Sequence, residues 1–145
     1  MHTPAILSSS LLALAATVQS LRITGPSTSE AIDLSQEITV TWSQSNSSEQ
    51  KKWPTLDLEW FSKPTDLKSF GFEIASGLNT SDGRYKFTPS RNTIKTLQPF
   101  ADELSKNKAF TFKITLRNGT DGETDVGPVV SGGKYNVIGL QKTTN

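Results

Sequence analysis

The sequence of 145 residues contains no cysteine and one histidine, and its fifteen Lys and Arg residues nearly balance fourteen Asp and Glu residues, for a formal net charge of +1 at pH 7. An evenly mixed, near-neutral surface argues against nucleic acid or an anionic membrane as the main partner. Without cysteine, neither disulfides nor thiolate metal sites are possible, so packing alone has to stabilise the fold.

The first twenty residues differ in composition from the rest of the chain. Residues 5–18 carry no charged side chain, are continuously apolar from Leu11 to Ala16, and lead into Gln19-Ser20. This pattern predicts a secretory signal peptide at 1–20, cleavage after Ser20 and a single mature domain at 21–145. The alternative is a buried core helix, which the strand-like sequence that follows at once disfavours. The run is also shorter than the roughly 20 apolar residues that a membrane span needs. We therefore expect a secreted protein without a membrane span.

After residue 20, apolar and polar residues alternate in short runs separated by turn-forming residues, which is typical of strands with one buried face. Residues 44–52 are predicted to be a polar loop, and Leu97–Ser105 is the one helical candidate. The sequence predicts an all-β fold, an immunoglobulin- or fibronectin-like antiparallel β-sandwich of seven or eight strands with at most one short helix. The predicted strands are 21–24, 38–42, 56–60, 70–74, 85–87 and 110–116, with a last pair at 126–130 and 135–137 around Gly132-Gly133.

The chemistry open to the mature chain is narrow. The only histidine, His2, lies in the predicted signal peptide. Without imidazole or thiol, the Ser-His-Asp and Cys-His arrangements lack their general base, and zinc and copper sites lack their usual ligands. We therefore expect no catalytic residues, no metal site and no cofactor, and hence a protein that is not an enzyme.

Carboxylates are the remaining candidates for chemistry. Asp57 and Glu59 share one face of a predicted strand and are the residue types that a glycosidase needs, but such pairs are common on solvent-facing strands. The acidic run 121–125 offers oxygen ligands for calcium without the full ligand set of a dedicated loop. A solvated hairpin turn is the favoured interpretation of that run.

The three tryptophans fall into two groups. Trp42 and Trp60 are in apolar phase with their strands and are predicted to lie in the core. Trp53 follows Lys51 and Lys52 at the end of the polar loop, so these three residues are the candidate contact for a partner. The alternative for Trp53 is that it folds over and covers one end of the sandwich.

Three acceptor sequences for N-glycosylation occur in segments that are predicted to be loops or strand ends. They begin at Asn46, Asn79 and Asn118, and none has proline in its middle position. With the signal peptide, they indicate a eukaryotic secretory route.

Several segments together give the mature chain a resemblance to a fungal family. It resembles the immunoglobulin-like amino-terminal domain of yeast cell-wall β-glucan assembly proteins and of Ser/Thr-rich GPI-anchored wall proteins. The likeness covers residues 21 to about 116. The segments that carry it are Ile23-Thr24-Gly25-Pro26, Ile38-Thr39-Val40-Thr41-Trp42, Asp57-Leu58, Gly83-Arg84-Tyr85-Lys86-Phe87-Thr88-Pro89 and Phe112-Lys113-Ile114.

Two features depart from the family pattern. Members usually place Gly before the Thr-Trp strand, where this chain has Leu34-Ser35-Gln36-Glu37. Anchored members continue into a Ser/Thr-rich stalk and an apolar tail, which are missing after Gln141, so a released protein without a GPI anchor is expected.

The resemblance implies a fungal extracellular protein without a catalytic motif, and two roles are compatible with it. In the first, the protein is a free effector or elicitor that is perceived through a host surface protein. In the second, it is a wall-associated module that binds cell-wall polysaccharide or takes part in wall assembly. A carboxylate-based glycosidase is a distant third.

Overall fold

The computed structural model describes residues 21–120 and 123–140, with only the backbone described at 120 and 123–125. The predicted signal peptide and its cleavage site lie largely outside these residues. The strands in the described residues are β1 (Leu21–Gly25), β2 (Ile32–Asp33), β3 (Ile38–Gln44), β4 (Thr55–Thr65), β5 (Lys68–Asn79), β6 (Arg84–Phe87), β7 (Phe110–Thr120), β8 (Glu123–Tyr135) and β9 (Val137–Ile138). The helices are α1 (Ser47–Lys52), α2 (Arg91–Leu97) and α3 (Ala101–Lys106).

The protein is mostly β, and its two larger sheets are antiparallel. One sheet has three strands in the order β1-β3-β6, and the other has four in the order β5-β4-β7-β8. The short strands β2 and β9 form a separate parallel pair, in which Ile32 lies opposite Val137. The prediction of antiparallel strands is therefore correct for both large sheets and wrong for this short pair.

The core forms because the apolar side chains, at every second position of the long strands, lie on the face that the two large sheets turn towards each other. In β7, Phe112, Ile114 and Leu116 are buried, and they lie opposite Trp60, Leu58 and Leu56 of β4. Cross-strand apolar pairs of this kind are the main stabilising contacts within a sheet.

The two sheets contact each other through aromatic side chains. The ring of Trp60 in β4 lies 5.2 Å from that of Phe87 in β6 in an edge-to-face arrangement. Trp42 in β3 belongs to the same buried cluster as Trp60. The prediction that Trp42 and Trp60 are core residues is thus confirmed.

The helical segment between β6 and β7 is longer than predicted. A 3-10 turn at Gln98–Phe100 joins α2 to α3, so residues 91–106 are helical for sixteen residues, where the sequence predicted Leu97–Ser105. The Ser90 hydroxyl caps α2 by accepting from the Thr93 amide at 3.1 Å, which sets the earlier start. Leu97 and Leu104 are fully buried and attach the segment to the core.

A second helix, α1, replaces part of the predicted polar loop. The Asn46 side chain accepts hydrogen bonds from the amides of Ser48 and Glu49 and so caps α1. The expectation of at most one short helix is therefore wrong, because this cap stabilises a six-residue helix within the loop.

The predicted last pair of strands is also different in the structure. Residues 123–135 form the single strand β8, and the Gly132-Gly133 pair lies inside it rather than in a turn. These glycines allow β1 and the segment after it to approach closely. A Cβ atom at Gly132 would lie 3.2 Å from Cδ1 of Ile23, and one at Gly133 would clash with Thr28.

The end of β8 is tied to the segment that follows β1. The Tyr135 hydroxyl donates to the Pro26 carbonyl across 2.6 Å. Burial raises the pKa of Tyr135 above its ordinary value of 10.0.

Candidate functional site

The predicted contact residues Lys51, Lys52 and Trp53 lie at the carboxyl end of α1. Both lysine side chains are exposed, and they occupy the last turn of the helix, where positive charge is favourable. Trp53 ends the helix and donates its amide hydrogen to the Glu49 carbonyl at 2.9 Å. The two lysines are therefore presented to solvent by a capped helix.

Trp53 itself is half-buried and packs against the core. Its indole covers the backbone of β8, since a Cβ atom at Gly127 would lie 2.8 Å from three of the indole carbons. The Lys52 ammonium group lies 5.6 Å from the indole centroid, within cation–π range. Trp53 therefore has a packing role, and the two lysines offer the more accessible atoms.

The carboxylate pair predicted on β4 is divided between two environments. Asp57 forms an ion pair with Arg117 and accepts a hydrogen bond from the Gly77 amide at 3.0 Å. Glu59 is exposed and lies between Glu73 of β5 and Lys113 of β7. Asp57 is therefore held by a cation and an amide, whereas Glu59 is open to solvent.

No group of three or more His, Cys, Asp or Glu residues within 21–120 and 123–140 is arranged to hold a metal ion. Likewise, no helix in this part of the chain is long and apolar enough to cross a membrane. The acidic run 121–125 lies outside the residues whose side chains are described. The backbone pairing of Thr120 with Glu123 joins β7 to β8 across two residues.

The three glycosylation candidates differ in their surroundings. Asn118 and Asn79 are exposed, at the ends of β7 and β5. Asn46 is half-buried, and it is the side-chain oxygen that caps α1. Since a glycan would be attached to the amide nitrogen, capping and modification of Asn46 are compatible.

A cleft that the sequence did not predict lies between the edge strands β5 and β6, one from each large sheet. Its volume is about 340 Å³. The half-buried Phe87 and Ile74 provide apolar walls above the buried Trp60, and the α2 cap adds Ser90. The alternation pattern predicts both strands, but the juxtaposition of their edges depends on tertiary packing and has no local signal.

Two polar groups of this cleft, on Tyr85 and Glu73, are available to a ligand. Neither the Tyr85 hydroxyl nor the Glu73 carboxylate has a hydrogen-bond or ion-pair partner among the described residues, and Thr88 at the rim is exposed. An apolar wall with a few convergent hydroxyl and carboxylate groups is the usual composition of a small-ligand site. Such a lining suits a sugar, since a sugar has both apolar faces and hydroxyl groups.

Comparisons of this chain with protein-family models, with curated protein sequences and with solved structures gave no match.

Proposed function

We propose that the protein is a secreted, non-enzymatic extracellular protein of a fungus that binds a neutral cell-wall polysaccharide in the cleft between β5 and β6. The observation that carries this proposal is the pair of unpartnered polar groups, Tyr85 and Glu73, beside the half-buried aromatic ring of Phe87. A carboxylate accepts hydrogen bonds from sugar hydroxyl groups, and aromatic rings pack against the C–H faces of a sugar.

The proposal includes an immunoglobulin-like β-sandwich. Two observations support it: the strand orders β1-β3-β6 and β5-β4-β7-β8, and the buried Trp60 on the third long strand. Immunoglobulin-type sandwiches likewise pack a three-stranded antiparallel sheet against a four-stranded one and bury a tryptophan between the two sheets. On this fold, loops and edge strands present the recognition surface.

Binding without catalysis is supported by the side chains that are present. The mature chain after residue 20 contains no histidine or cysteine. Asp57, one of the two carboxylates that a glycosidase mechanism would employ, is already engaged by Arg117 and Gly77. The protein would then act by binding its polysaccharide ligand and not by cleaving it.

The decisive experiment is binding of purified protein to soluble β-1,3- and β-1,6-glucans by calorimetry. Glu73→Gln and Tyr85→Phe keep the shape of the cleft and remove one charge and one hydroxyl. Each should weaken binding about tenfold if its hydrogen bond to the sugar is direct. Lys86→Gln is the matched control, because Lys86 is an exposed neighbour of Tyr85 on β6 that does not line the cleft. Equal affinity of all variants, or no glucan binding by the unmodified protein, would refute the proposal.

A second candidate function, that of a free effector perceived through a host surface protein, is favoured by the exposed Lys51 and Lys52 on α1. Replacing both with Ala should reduce a host response while the circular dichroism spectrum is retained. The Asp57→Asn/Glu59→Gln variant should keep the response. The reverse result would reopen the enzyme interpretation. Fractionation of a fungal culture into medium and washed wall then separates the two roles.

A further inference from the structure

A second surface, independent of the β5–β6 cleft, combines an aromatic ring with unpaired positive charges. It is a shallow cavity of about 250 Å³ on the outside of the four-stranded sheet. We call it the lysine cavity and define it by the lining residues Phe61, Lys63, Lys108, Ala109, Thr111 and Lys134.

The sheet register explains why these side chains converge. Phe61 of β4 lies opposite Thr111 of β7, and Thr111 in turn lies opposite Lys134 of β8. Lys63 follows two residues after Phe61 on the same face, and its amide donates to the Ala109 carbonyl at 2.8 Å. Lys63 and Lys134 therefore stand on the two strands that flank β7.

The third lysine is fixed by the main chain. The Lys108 ammonium group donates to the Thr28 carbonyl across 3.1 Å, so it is held near the cavity without being neutralised. No carboxylate lines the cavity, and within the described residues none of Lys63, Lys108 and Lys134 forms an ion pair. Because the three ammonium groups repel one another, their proximity raises the electrostatic free energy of the folded protein.

The positive charge continues along the sheet on the far side of Phe61. The Lys113 ammonium group lies 4.6 Å from the centroid of the Phe61 ring. Beyond Lys113 the pattern changes sign, because Glu59 and Glu73 are its next neighbours across β4 and β5. The basic surface is therefore bounded, and it is local in a chain whose formal net charge is only +1.

We propose that the lysine cavity binds an acidic polysaccharide, a linear chain of uronic acid residues. Such a chain presents regularly spaced carboxylates to the lysines and an apolar sugar face to Phe61. A neutral glucan would leave the ammonium groups without counter-charge. An acidic peptide has the charge but offers no sugar ring face to Phe61, and an oligonucleotide would offer its aromatic bases rather than the C–H face of a pyranose.

The test measures binding of polygalacturonate to the secreted protein by calorimetry at several salt concentrations. The Lys63→Gln/Lys108→Gln/Lys134→Gln variant should lose about tenfold or more in affinity at low salt, and the affinity of the unmodified protein should fall as salt rises. The matched control is Arg22→Gln/Lys86→Gln/Lys95→Gln, which removes the same charge from exposed positions outside the cavity and should change affinity less than about twofold. Equal losses in both variants would show attraction to overall charge alone and would overturn the proposal.

The specificity for sugar is tested with the same protein. Phe61→Leu retains an apolar side chain at this half-buried position, and it should weaken the binding that persists at high salt. Poly-glutamate and a single-stranded oligonucleotide of similar charge density should bind more weakly than polygalacturonate. Equal binding of all three polymers, or unchanged affinity in Phe61→Leu, would overturn the assignment to an acidic polysaccharide. Because Tyr85→Phe lies in the other cleft and changes no charge beside the lysine cavity, it should leave polygalacturonate binding unchanged.

Discussion

The indole N–H of Trp42 donates a hydrogen bond to the main-chain carbonyl of Thr80 across 2.8 Å. Thr80 is almost fully buried, and its hydroxyl donates in turn to the Trp53 carbonyl at 2.8 Å. Its amide completes the arrangement by donating to the Pro54 carbonyl at 2.9 Å. One threonine therefore connects the core strand β3 to the end of α1, the helix that carries the exposed lysines.

Thr80→Val tests this connection. The substitution keeps the size of the side chain but leaves the Trp53 carbonyl without its donor, so the free energy of unfolding should fall by about 1–2 kcal/mol. Urea denaturation measures the change, and Thr88→Val, at an exposed position, should alter stability by less than about 0.5 kcal/mol. Equal effects of the two substitutions would mean that the Thr80 hydroxyl contributes nothing.

Phe112→Ala tests the core. Phe112 is fully buried, with the rings of Trp60, Phe110 and Tyr135 around it. Removing the ring should cost about 3–5 kcal/mol, from lost burial and the cavity that remains. Leu67→Ala, at a position that is 92% exposed, should cost less than about 0.5 kcal/mol. A loss below about 1 kcal/mol for Phe112→Ala would contradict its burial.

Ser62→Ala should leave stability unchanged or raise it by up to about 1 kcal/mol. The Ser62 hydroxyl is fully buried and has no hydrogen-bond partner among the described residues, so the folded state carries its desolvation cost. Thermal unfolding measures the difference, with Ser76→Ala at an exposed position as the control. A clear fall in stability would show that the hydroxyl makes a favourable bond.

The tyrosine at the end of β8 should make stability sensitive to alkaline pH. Because burial raises the pKa of Tyr135 in the folded state, the unfolded state loses this proton first as pH rises through about 10. The effect of Tyr135 ionisation on the free energy of unfolding is therefore absent below about pH 10, and stability falls as the pH rises from there towards the folded-state pKa. Tyr135→Phe should have a smaller loss of stability between about pH 9 and 11 than the unmodified protein. Identical pH profiles would contradict the prediction.

Protein secreted from a eukaryotic host should begin at Leu21 and carry glycan on at least one of Asn46, Asn79 and Asn118. Intact-mass measurement before and after glycosidase treatment checks both statements. An unshifted mass or retention of Met1 would be the contrary result.

Two variants distinguish the role of Asn46 as a glycosylation site from its role as the cap of α1. Ser48→Ala removes the acceptor sequence but keeps the Asn46 cap of α1, so it should eliminate any glycan there without a loss of stability. Asn46→Ala removes both and should cost about 1 kcal/mol in unglycosylated protein. Equal stability of these two variants would mean that the cap is unimportant.

The strand interiors were predictable because alternation is a local signal. Phe110, Phe112, Ile114 and Leu116 are all buried in β7, as their phase indicates. Helix α1 was missed because a run of Ser, Glu, Gln and Lys has no apolar face, and only its Asn cap distinguishes it from a loop. The Gly132-Gly133 pair was misinterpreted because glycine marks both turns and close backbone approach.

The candidate sites were less predictable than the fold. The exposure of Lys51 and Lys52 follows from local polarity, and the structure agrees. The β5–β6 cleft and the lysine cavity depend instead on which strands become neighbours. Lys63, Lys108 and Lys134 are separated by up to 71 positions in the sequence and share a surface only through the register of β4, β7 and β8. The register between these strands cannot be predicted from the periodicity of the sequence.

The parallel pairing of β2 with β9 has a consequence for biosynthesis. Residues 32–33 find their partners only when residues 137–138 have been synthesised. The bond from Tyr135 to Pro26 imposes the same delay. Both contacts close very long loops, which form slowly, and neither can form before Tyr135 has been synthesised. A chain that is still being synthesised therefore leaves Pro26 and residues 32–33 without these partners.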